Sequence, residues 1–343
     1  MVGGSIVAAT IIEVWQDAEV TRIVEVADGI KRIELAPQLA KRAEPGSHID
    51  VMVRINGDNA KRSYSVVESS ADGSTLVISV LKAPLSRGGS SFMHELAVGD
   101  RLQITQPLQN FPLRVGAGHY LLLAGGVGIT AMVNMASVLK RLNADYTLVF
   151  AGRKRSAMAY LPELQAEHGS RLEVHVDDEG TSLKVDQLLA RAAEETELYM
   201  CGPIRLMDAV RRGWLERELE PSALRYETFG NSGWHDPEEF IVRVPKLDLE
   251  VRVLQGRSML EALEDAGADM MSDCRKGECG LCEVRITEIT GRIDHRDVFY
   301  SERQKRQSSK MNCCVSRAIT SPTGAKADAA TSSGPAVVTI EPN

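Results

Sequence analysis

Cysteine is the residue whose spacing in this chain most clearly predicts chemistry. Cys274, Cys279 and Cys282 form the pattern Cys-x4-Cys-x2-Cys, and the adjacent pair Cys313 and Cys314 follows some thirty residues later. This is the ligand spacing of plant-type 2Fe-2S sites, where one loop supplies three thiolates and a later segment supplies the fourth. The pattern therefore predicts a centre that carries one electron at a time.

A structural zinc site is the alternative, because Cys279-x2-Cys282 alone suits zinc equally well. Zinc sites usually pair two short Cys-x2-Cys segments, whereas the second half here is an adjacent pair that would be hard to bring onto one metal. Clustered thiols in a chain without a secretion signal also favour metal over disulfides. His295 is interpreted as structural, because a Rieske centre needs a second histidine ligand and four thiols are already present.

A second group of residues has the types and position of a dinucleotide-binding turn. Gly125, Gly126, Gly128 and Thr130 follow the apolar run YLLLA and precede a helical pattern, so they lie where a pyrophosphate would meet a helix N-terminus. The full Gly-x-Gly-x-x-Gly fingerprint is absent, and a tight strand-to-helix turn is the simpler alternative. The segment 200–203, MCGP, ends a later apolar run, where ligands bind in open α/β sheets.

Two segments nearer the N-terminus have residue types that could hold an aromatic ring system and a phosphate. The first lies on a predicted strand and contains Arg62, Tyr64, Ser65 and Val66; its arginine, tyrosine and serine are expected to face one side. The second is a glycine turn before a short helix, which would present free amides to a phosphate: Arg87, Gly88, Gly89 and Ser90. Taken alone, a solvated strand and a surface turn would explain these segments.

Three kinds of element must position these candidate sites. From Thr21 to about Pro112, short alternating strands between turn residues predict a small antiparallel barrel. From His119 to Phe229, apolar runs alternate with helical patterns, which predicts a doubly wound parallel sheet. After the cysteine loop and the polar loop at 320–335, VVTIE is expected to close the last domain as its final strand.

The predicted division is a barrel domain at 1–114, an α/β domain at 115–230, a linker at 231–239 and a third, α+β domain at 240–343. A length of 343 residues suits three domains, and 43% hydrophobic with 25% charged residues is an ordinary globular composition. The net charge of −7 argues against nucleic-acid binding. Without a membrane-length apolar run or a signal peptide, a cytoplasmic monomer is expected.

The segments SDCRKGECGLCEV, IDHRDVFYSE and CCVSRA resemble the ferredoxin domain of the phthalate dioxygenase reductase family, most closely the reductases of vanillate-type O-demethylases. The resemblance implies a plant-type ferredoxin, or β-grasp, fold. It also implies that Cys314, which directly precedes Val-Ser-Arg-Ala, is the fourth cluster ligand. Cys313 is then a buried neighbour.

The same resemblance assigns the other cofactors. It implies FMN rather than FAD at the Arg-x-Tyr-Ser and Arg-Gly-Gly-Ser segments, with Cys201, Gly202 and Pro203 at the nicotinamide. The stretch ETFG resembles the family's Glu-x-Phe-Gly, which implies that Phe229 lies against the flavin. Arg153, with its two basic neighbours, could contact an adenosine ribose or its 2′-phosphate. A 2′-phosphate contact would favour NADPH, but the resembling reductases use NADH.

The domain order suggests how electrons move. NADH gives up two electrons as a hydride and an iron–sulfur cluster takes one, so a flavin between them is required. Hydride transfer needs no general base, and no catalytic acid–base residue is predicted. The resemblance implies a Rieske-type terminal oxygenase with an aromatic substrate as the acceptor. The alternatives are a stand-alone diaphorase or redox sensor, and a zinc-stapled nucleotide-binding protein without redox activity.

Overall fold

The computed structural model describes residues 13–55, 57–83, 86, 88–229, 235, 237–320 and 334–342, except for the side chain of Glu302. Arg87, most of the linker at 231–239 and most of the loop at 320–335 lie outside the described residues. No helix in the described ranges is long and apolar enough to cross a membrane.

The first domain is the predicted antiparallel barrel. Its strands run in the order β4-β5-β2-β1-β6-β3, and β3 also pairs with β4, which closes the sheet. Residues of β3 such as Ile49, Val51 and Val53 are fully buried in the barrel core. The elements are β1 Trp15–Ala27, β2 Ile30–Pro37, β3 Ser47–Ile55, β4 Asp58–Ser69, β5 Leu76–Leu81, α1 Gly89–Glu95, β6 Arg101–Thr105 and β7 Leu108–Gln109.

The second domain is a five-stranded parallel sheet in the order β10-β9-β8-β11-β12. The chain winds outwards from β8 to β10 and then returns to the other side of β8, so a crevice opens at the carboxyl ends of β8 and β11. The predicted helices near 129 and 204 are confirmed. The elements are β8 His119–Gly125, α2 Ile129–Arg141, β9 Tyr146–Gly152, α3 Leu161–His168, β10 Leu172–Val176, α4 Val185–Leu189, β11 Thr196–Cys201, α5 Ile204–Glu216 and β12 Leu224–Glu227.

The third domain is a mixed sheet in the order β14-β13-β19-β15-β17, with a small β16–β18 pair beside it. The final strand is central: β19 runs parallel to β13 and antiparallel to β15. Val338 and Ile340 of this strand are fully buried. The elements are β13 Phe240–Val244, β14 Leu249–Val253, α6 Met259–Asp265, β15 Glu283–Thr290, β16 Arg292–Asp294, α7 Glu302–Gln307, β17 Lys310–Asn312, β18 Arg317–Ile319 and β19 Ala336–Pro342.

Candidate functional site

The cysteine loop follows α6 and turns its backbone amides towards the sulfur of its first cysteine. The N–H groups of Lys276, Glu278 and Cys279 all point at Cys274 Sγ over 3.4 Å. Amides arranged around a sulfur stabilise negative charge on it, and hydrogen bonds to cluster sulfurs tune iron–sulfur centres. This part of the loop therefore fits a metal-bound thiolate.

Glycine is required at two positions of the loop. Gly277 has a φ of +79°, and a Cβ added there would lie 2.6 Å from Val315. Gly280 has a φ of +77°, and its added Cβ would lie 2.3 Å from the ring of Phe299. Both positions combine a left-handed backbone with close packing, so a side chain would displace the loop.

The remaining thiols approach one another at the base of the loop. Cys282, Cys313 and Cys314 are buried, whereas Cys279 is exposed. The thiols of Cys313 and Cys314 hydrogen-bond to Cys282 and lower its pKa to about 3, against the effect of burial. Cys313 Sγ also donates to the carbonyl oxygen of Cys282 over 2.9 Å and belongs to the hydrophobic core. Thiols from the loop and from the later turn thus meet at one place, as ligands of one cluster must.

The donor set bears on the zinc alternative. Four thiols spread over a loop and a later turn suit a two-iron cluster better than one zinc ion. The residues present fit the group that the spacing predicts.

The segment 293–297, IDHRD, contacts the cysteine loop through Asp297. Asp297 is fully buried and accepts hydrogen bonds from the backbone N–H of Tyr300 at 2.9 Å and the hydroxyl of Ser316 at 3.2 Å. The N–H of Val298 donates to Gly277 O in the loop at 3.0 Å. His295 is buried, 3.5 Å from Asp297, which agrees with its interpretation as a structural residue.

The predicted flavin strand is β4, and its side chains divide between two faces. Arg62 and Tyr64 share one face, while Ser65 lies on the opposite face beside His48 of β3. The expectation that all three face one side is therefore wrong, because successive residues of a strand alternate. Burial raises the pKa of Tyr64 strongly, so its hydroxyl stays protonated.

The glycine turn lies directly against this strand. An added Cβ at Gly89 would lie 2.9 Å from the Arg62 side chain, and one at Gly88, where φ is +88°, would lie 2.5 Å from Ile55. No side chain among the described residues caps α1 at Gly88. The hydroxyl of Ser90 accepts a hydrogen bond from Ala83 N–H at 3.1 Å. The turn thus offers helix-terminal amides beside a guanidinium, which fits a flavin phosphate.

The two predicted nucleotide segments touch each other. An added Cβ at Gly128 would lie 2.1 Å from the carbonyl oxygen of Cys201, and one at Gly125 would lie 2.7 Å from Pro203. An added Cβ at Gly202 would lie 3.0 Å from the Cα of Gly125. Only glycines allow the ends of β8 and β11 to approach this closely. Their meeting point is the mouth of the crevice where nucleotides bind in such sheets.

Thr130 and Gly126 complete the turn after β8. The hydroxyl of Thr130 donates to Val127 O at 2.9 Å and is buried, so it holds the turn's shape. Gly126 has a φ of +54° and no atom within 4 Å of an added Cβ, which leaves open space beside it.

The basic turn after β9 faces an acidic turn after β10. Arg153 is exposed, and its carbonyl oxygen accepts a hydrogen bond from Asp178 N–H at 3.1 Å. Arg155 forms a two-point ion pair with Glu179, with distances of 2.8 and 2.6 Å. Part of the positive charge predicted here is thus neutralised.

The end of β12 is the place where the three domains meet. Glu227 accepts a hydrogen bond from Ser65 at 3.0 Å and lies 4.0 Å from Lys276 of the cysteine loop. Burial raises the pKa of Glu227 to about 7, outweighing the lowering effect of Lys276. Phe229 is half-buried against the core of the α/β domain. The flavin strand, the nucleotide sheet and the cysteine loop therefore meet here.

A second contact between domains lies on α5 and α7. Lys305 Nζ is 3.2 and 3.4 Å from the two carboxylate oxygens of Asp208 and 2.6 Å from Asp297 O. The Lys305 and Asp208 side chains are only 9% and 2% exposed. Val298 packs into the hydrophobic cluster around Trp214 of the α/β domain. This second contact between the cysteine domain and the α/β domain therefore has a polar part and an apolar part.

The sequence motifs did not indicate several of the residues that make these contacts. Thr228 hydrogen-bonds to Lys276 and Glu278 of the cysteine loop, so these residues act through partners in another domain. Asp208 did carry a signal, because it falls on the otherwise apolar face of α5. An acidic residue on a buried helix face needs a partner, which could have marked it.

Comparison with known proteins agrees with these features. Residues 243–318 match the 2Fe-2S iron-sulfur cluster binding domain, and residues 122–212 match the oxidoreductase NAD-binding domain. The first match favours a 2Fe-2S cluster over the zinc alternative.

Similar proteins cover nearly the whole chain. The carnitine monooxygenase reductase subunit of Acinetobacter baumannii is 33% identical over 88% of this chain and 94% of its own length. The vanillate O-demethylase oxidoreductase of a Pseudomonas species is 33% identical over 80% of this chain and 87% of its own. The solved phthalate dioxygenase reductase has 27% identity and a TM-score of 0.70, with 95% and 98% of the two chains covered.

Another solved structure shows the same unit inside a longer chain. An intact type IV self-sufficient cytochrome P-450 monooxygenase has 31% identity and a TM-score of 0.63. The match covers 95% of this chain but only 41% of that one.

Proposed function

The chain belongs to the phthalate dioxygenase reductase-type family, and on this premise we propose that it is the NADH-dependent reductase component of a Rieske-type oxygenase system. Electrons pass from NADH through FMN and a 2Fe-2S cluster to the terminal oxygenase. The barrel at 1–114 would bind FMN, the domain at 115–230 NADH, and the domain at 240–343 the cluster.

The contact that carries this proposal is the junction at residues 227–229. Glu227 binds Ser65 of the flavin strand, and Thr228 binds Lys276 and Glu278 of the cluster loop. Cys201 pairs with Glu227 across β11 and β12. Segments proposed for flavin, nicotinamide and cluster thus meet at one point, as electron transfer between them requires.

The chain's own residues hold each group in place. Arg62 and the turn at 88–90 would bind the flavin phosphate, and Tyr64 would support its ring system. Cys274, Cys279, Cys282 and Cys314 would bind the cluster. When bound, the flavin would accept the two electrons of a hydride and pass them on one at a time. Neither NADH nor the cluster can do both.

The charge next to Arg153 supports NADH over NADPH. A 2′-phosphate at the basic turn would approach the acidic run Asp177–Glu179, and Arg155 is already paired with Glu179. A ribose 2′-hydroxyl tolerates these carboxylates, whereas a phosphate dianion is repelled by them.

The outer side of the cluster loop supports a protein acceptor. Cys279 is exposed, and Met271, Leu281 and Phe299 are 65%, 46% and 42% exposed. Met271 and Leu281 line one depression with Asp269. Exposed apolar side chains grouped at a redox centre are typical of a docking surface. This favours an external partner over the stand-alone diaphorase or sensor.

The partner is an oxygenase, since relatives are named as a carnitine monooxygenase reductase subunit, a phenoxybenzoate dioxygenase subunit and a vanillate O-demethylase oxidoreductase. A Rieske-type acceptor is supported by the likeness to phthalate dioxygenase reductase and to vanillate O-demethylase oxidoreductase. These two also support an aromatic substrate, although carnitine, named in another relative, is not aromatic. We further propose that the chain acts as a monomer in the cytoplasm.

An anaerobic NADH titration tests the proposal. The protein is expected to release FMN on denaturation, and NADH should reduce both flavin and cluster, giving a rhombic 2Fe-2S EPR signal. The reduced protein is then mixed with a Rieske terminal oxygenase of the vanillate type or, separately, with a cytochrome P-450. Faster electron transfer to the Rieske protein is expected. Faster transfer to the cytochrome would refute the Rieske assignment, and flavin that NADH does not reduce would refute the reductase function.

A further inference from the structure

Thr228 occupies the position that the Glu-x-Phe-Gly pattern leaves open, and it is buried to 4% exposure. Its N–H donates to Glu278 Oε1 at 2.7 Å. Its hydroxyl lies 2.8 Å from the same carboxylate oxygen and 2.8 Å from Lys276 O. The hydroxyl's single hydrogen is shared between these acceptors, so one threonine holds both ends of a three-residue stretch of the cluster loop.

The same stretch also contacts the proposed cluster ligand. The N–H groups of Lys276 and Glu278 point at Cys274 Sγ, while the Lys276 carbonyl and the Glu278 side chain bind Thr228. Lys276 reaches back to Glu227 as well, at 4.0 Å. Movement of the loop away from Thr228 would therefore change the amide bonds around the sulfur.

We propose that Thr228 and Glu278 are positioning residues that fix the electron-entry side of the cluster loop against the flavin and nicotinamide junction. The stretch 276–278 faces the α/β domain, whereas Cys279 and Leu281 on the next turn are exposed. Electrons enter through the held side of the loop and leave through its exposed side. This inference rests on the proposed function and adds the residues that set the internal transfer step.

The test compares T228V, T228S and E278Q in the protein loaded with its cofactors. Valine keeps the shape of threonine but removes the hydroxyl, and serine restores the hydroxyl, so T228S is the conservative rescue. E278Q weakens a hydrogen bond to a charged acceptor without changing the side-chain size. E288Q, at an exposed position on β15 of the same domain, is the matched carboxylate control.

The first readout is hydrogen exchange of the peptide spanning 274–282 in the oxidised protein. We expect exchange to rise about tenfold to a hundredfold in T228V and E278Q, which is the range for losing a hydrogen bond to a charged group. T228S and E288Q should stay within about twofold of the parent protein. The cluster's reduction potential should fall in T228V and E278Q, because weaker amide bonds to sulfur stabilise the reduced state less.

The second readout separates two steps by anaerobic stopped flow. Flavin reduction by NADH should keep its rate in all four variants, while cluster reduction should slow about tenfold or more in T228V and E278Q, in line with the loop opening. T228V indistinguishable from T228S in exchange, potential and cluster reduction would overturn the inference. If NADH does not reduce the flavin of the parent protein, the proposed function fails. The exchange comparison still tests whether Thr228 and Glu278 hold the loop.

Discussion

The ion pair between Lys305 and Asp208 should hold the cluster domain on the α/β domain. K305M removes the ammonium from Asp208, which is 2% exposed, while Arg211 stays 3.6 Å from that carboxylate. It also removes the donor to Asp297 O. Breaking a buried ion pair from one side costs about 3 to 5 kcal/mol. Because Arg211 still compensates part of the Asp208 charge, the cost here should be about 3 kcal/mol. At 1.4 kcal/mol per tenfold, the docking equilibrium should shift by about a hundredfold.

The assay is native-state hydrogen exchange of α7 and of the facing side of α5, since a detached domain exposes both. K310M is the matched control, because Lys310 pairs with Glu283 inside its own domain and is 49% exposed. Such a surface pair contributes about 0 to 1 kcal/mol, so K310M should leave exchange on α7 nearly unchanged.

The double variant D208N/K305M decides whether the two residues act as a pair. Residues in direct contact couple by about 0.5 to 3 kcal/mol, so the double variant should lose clearly less than the sum of the two single losses. Equal exchange in K305M and K310M, or strictly additive single effects, would refute the reasoning.

Three further outcomes follow from the site. C314S should lose the cluster while C313S keeps it, as read from iron content and the EPR signal; the reverse result would transfer the ligand role to Cys313. Folding raises the pKa of Glu227 from 4.5 to about 7. Its contribution to the free energy of unfolding is therefore full below pH 4.5 and is lost as the pH rises through 7, a change of up to about 3 kcal/mol. E227Q should flatten that slope in urea unfolding curves, and an unchanged slope would contradict the assignment. E179Q, which frees Arg155, should raise kcat/KM for NADPH about tenfold relative to NADH, whereas an unchanged ratio would separate the basic turn from the cofactor.

Local patterns were sufficient to predict the three architectures. The alternation of apolar residues marks strands of the barrel, and apolar runs followed by glycine mark the nucleotide sheet. The spacing of the cysteines and glycines in the loop at 274–282 carries its own geometry, because Gly277 and Gly280 are forced by a left-handed backbone and close neighbours. These features depend on residues close together in the sequence.

Spatial order could not be read in the same way. The last strand was predicted from VVTIE and is confirmed as β19, but its position between β13 and β15 could not be predicted. Alternation fixes which residues of a strand are buried but not which strands are its neighbours. Likewise, Ser65 and Arg62 were expected on one face of β4, and the alternation of a strand places them on opposite faces.

The contacts between domains were the least visible from sequence. Thr228 and Glu278 are separated by 50 residues, and Asp208 and Lys305 by 97. Each is an ordinary polar residue in its local context, so only the fold shows that it has a partner. Asp208 is the exception, since an aspartate on the buried face of α5 demands one.

These contacts also argue for a fixed cluster domain. A single polar contact would let the domain rotate about it, whereas Thr228 and Asp208 hold it from two different elements of the α/β domain. Val298, next to Asp297 in the sequence, is buried in the hydrophobic core around Trp214 of the α/β domain. Full burial of a valine contributes about 1.5 to 3 kcal/mol. Because the inner side of the cluster loop is held while Cys279 stays exposed, an acceptor can approach the outer side without undocking the domain. Electron entry and exit can then use opposite sides of one loop.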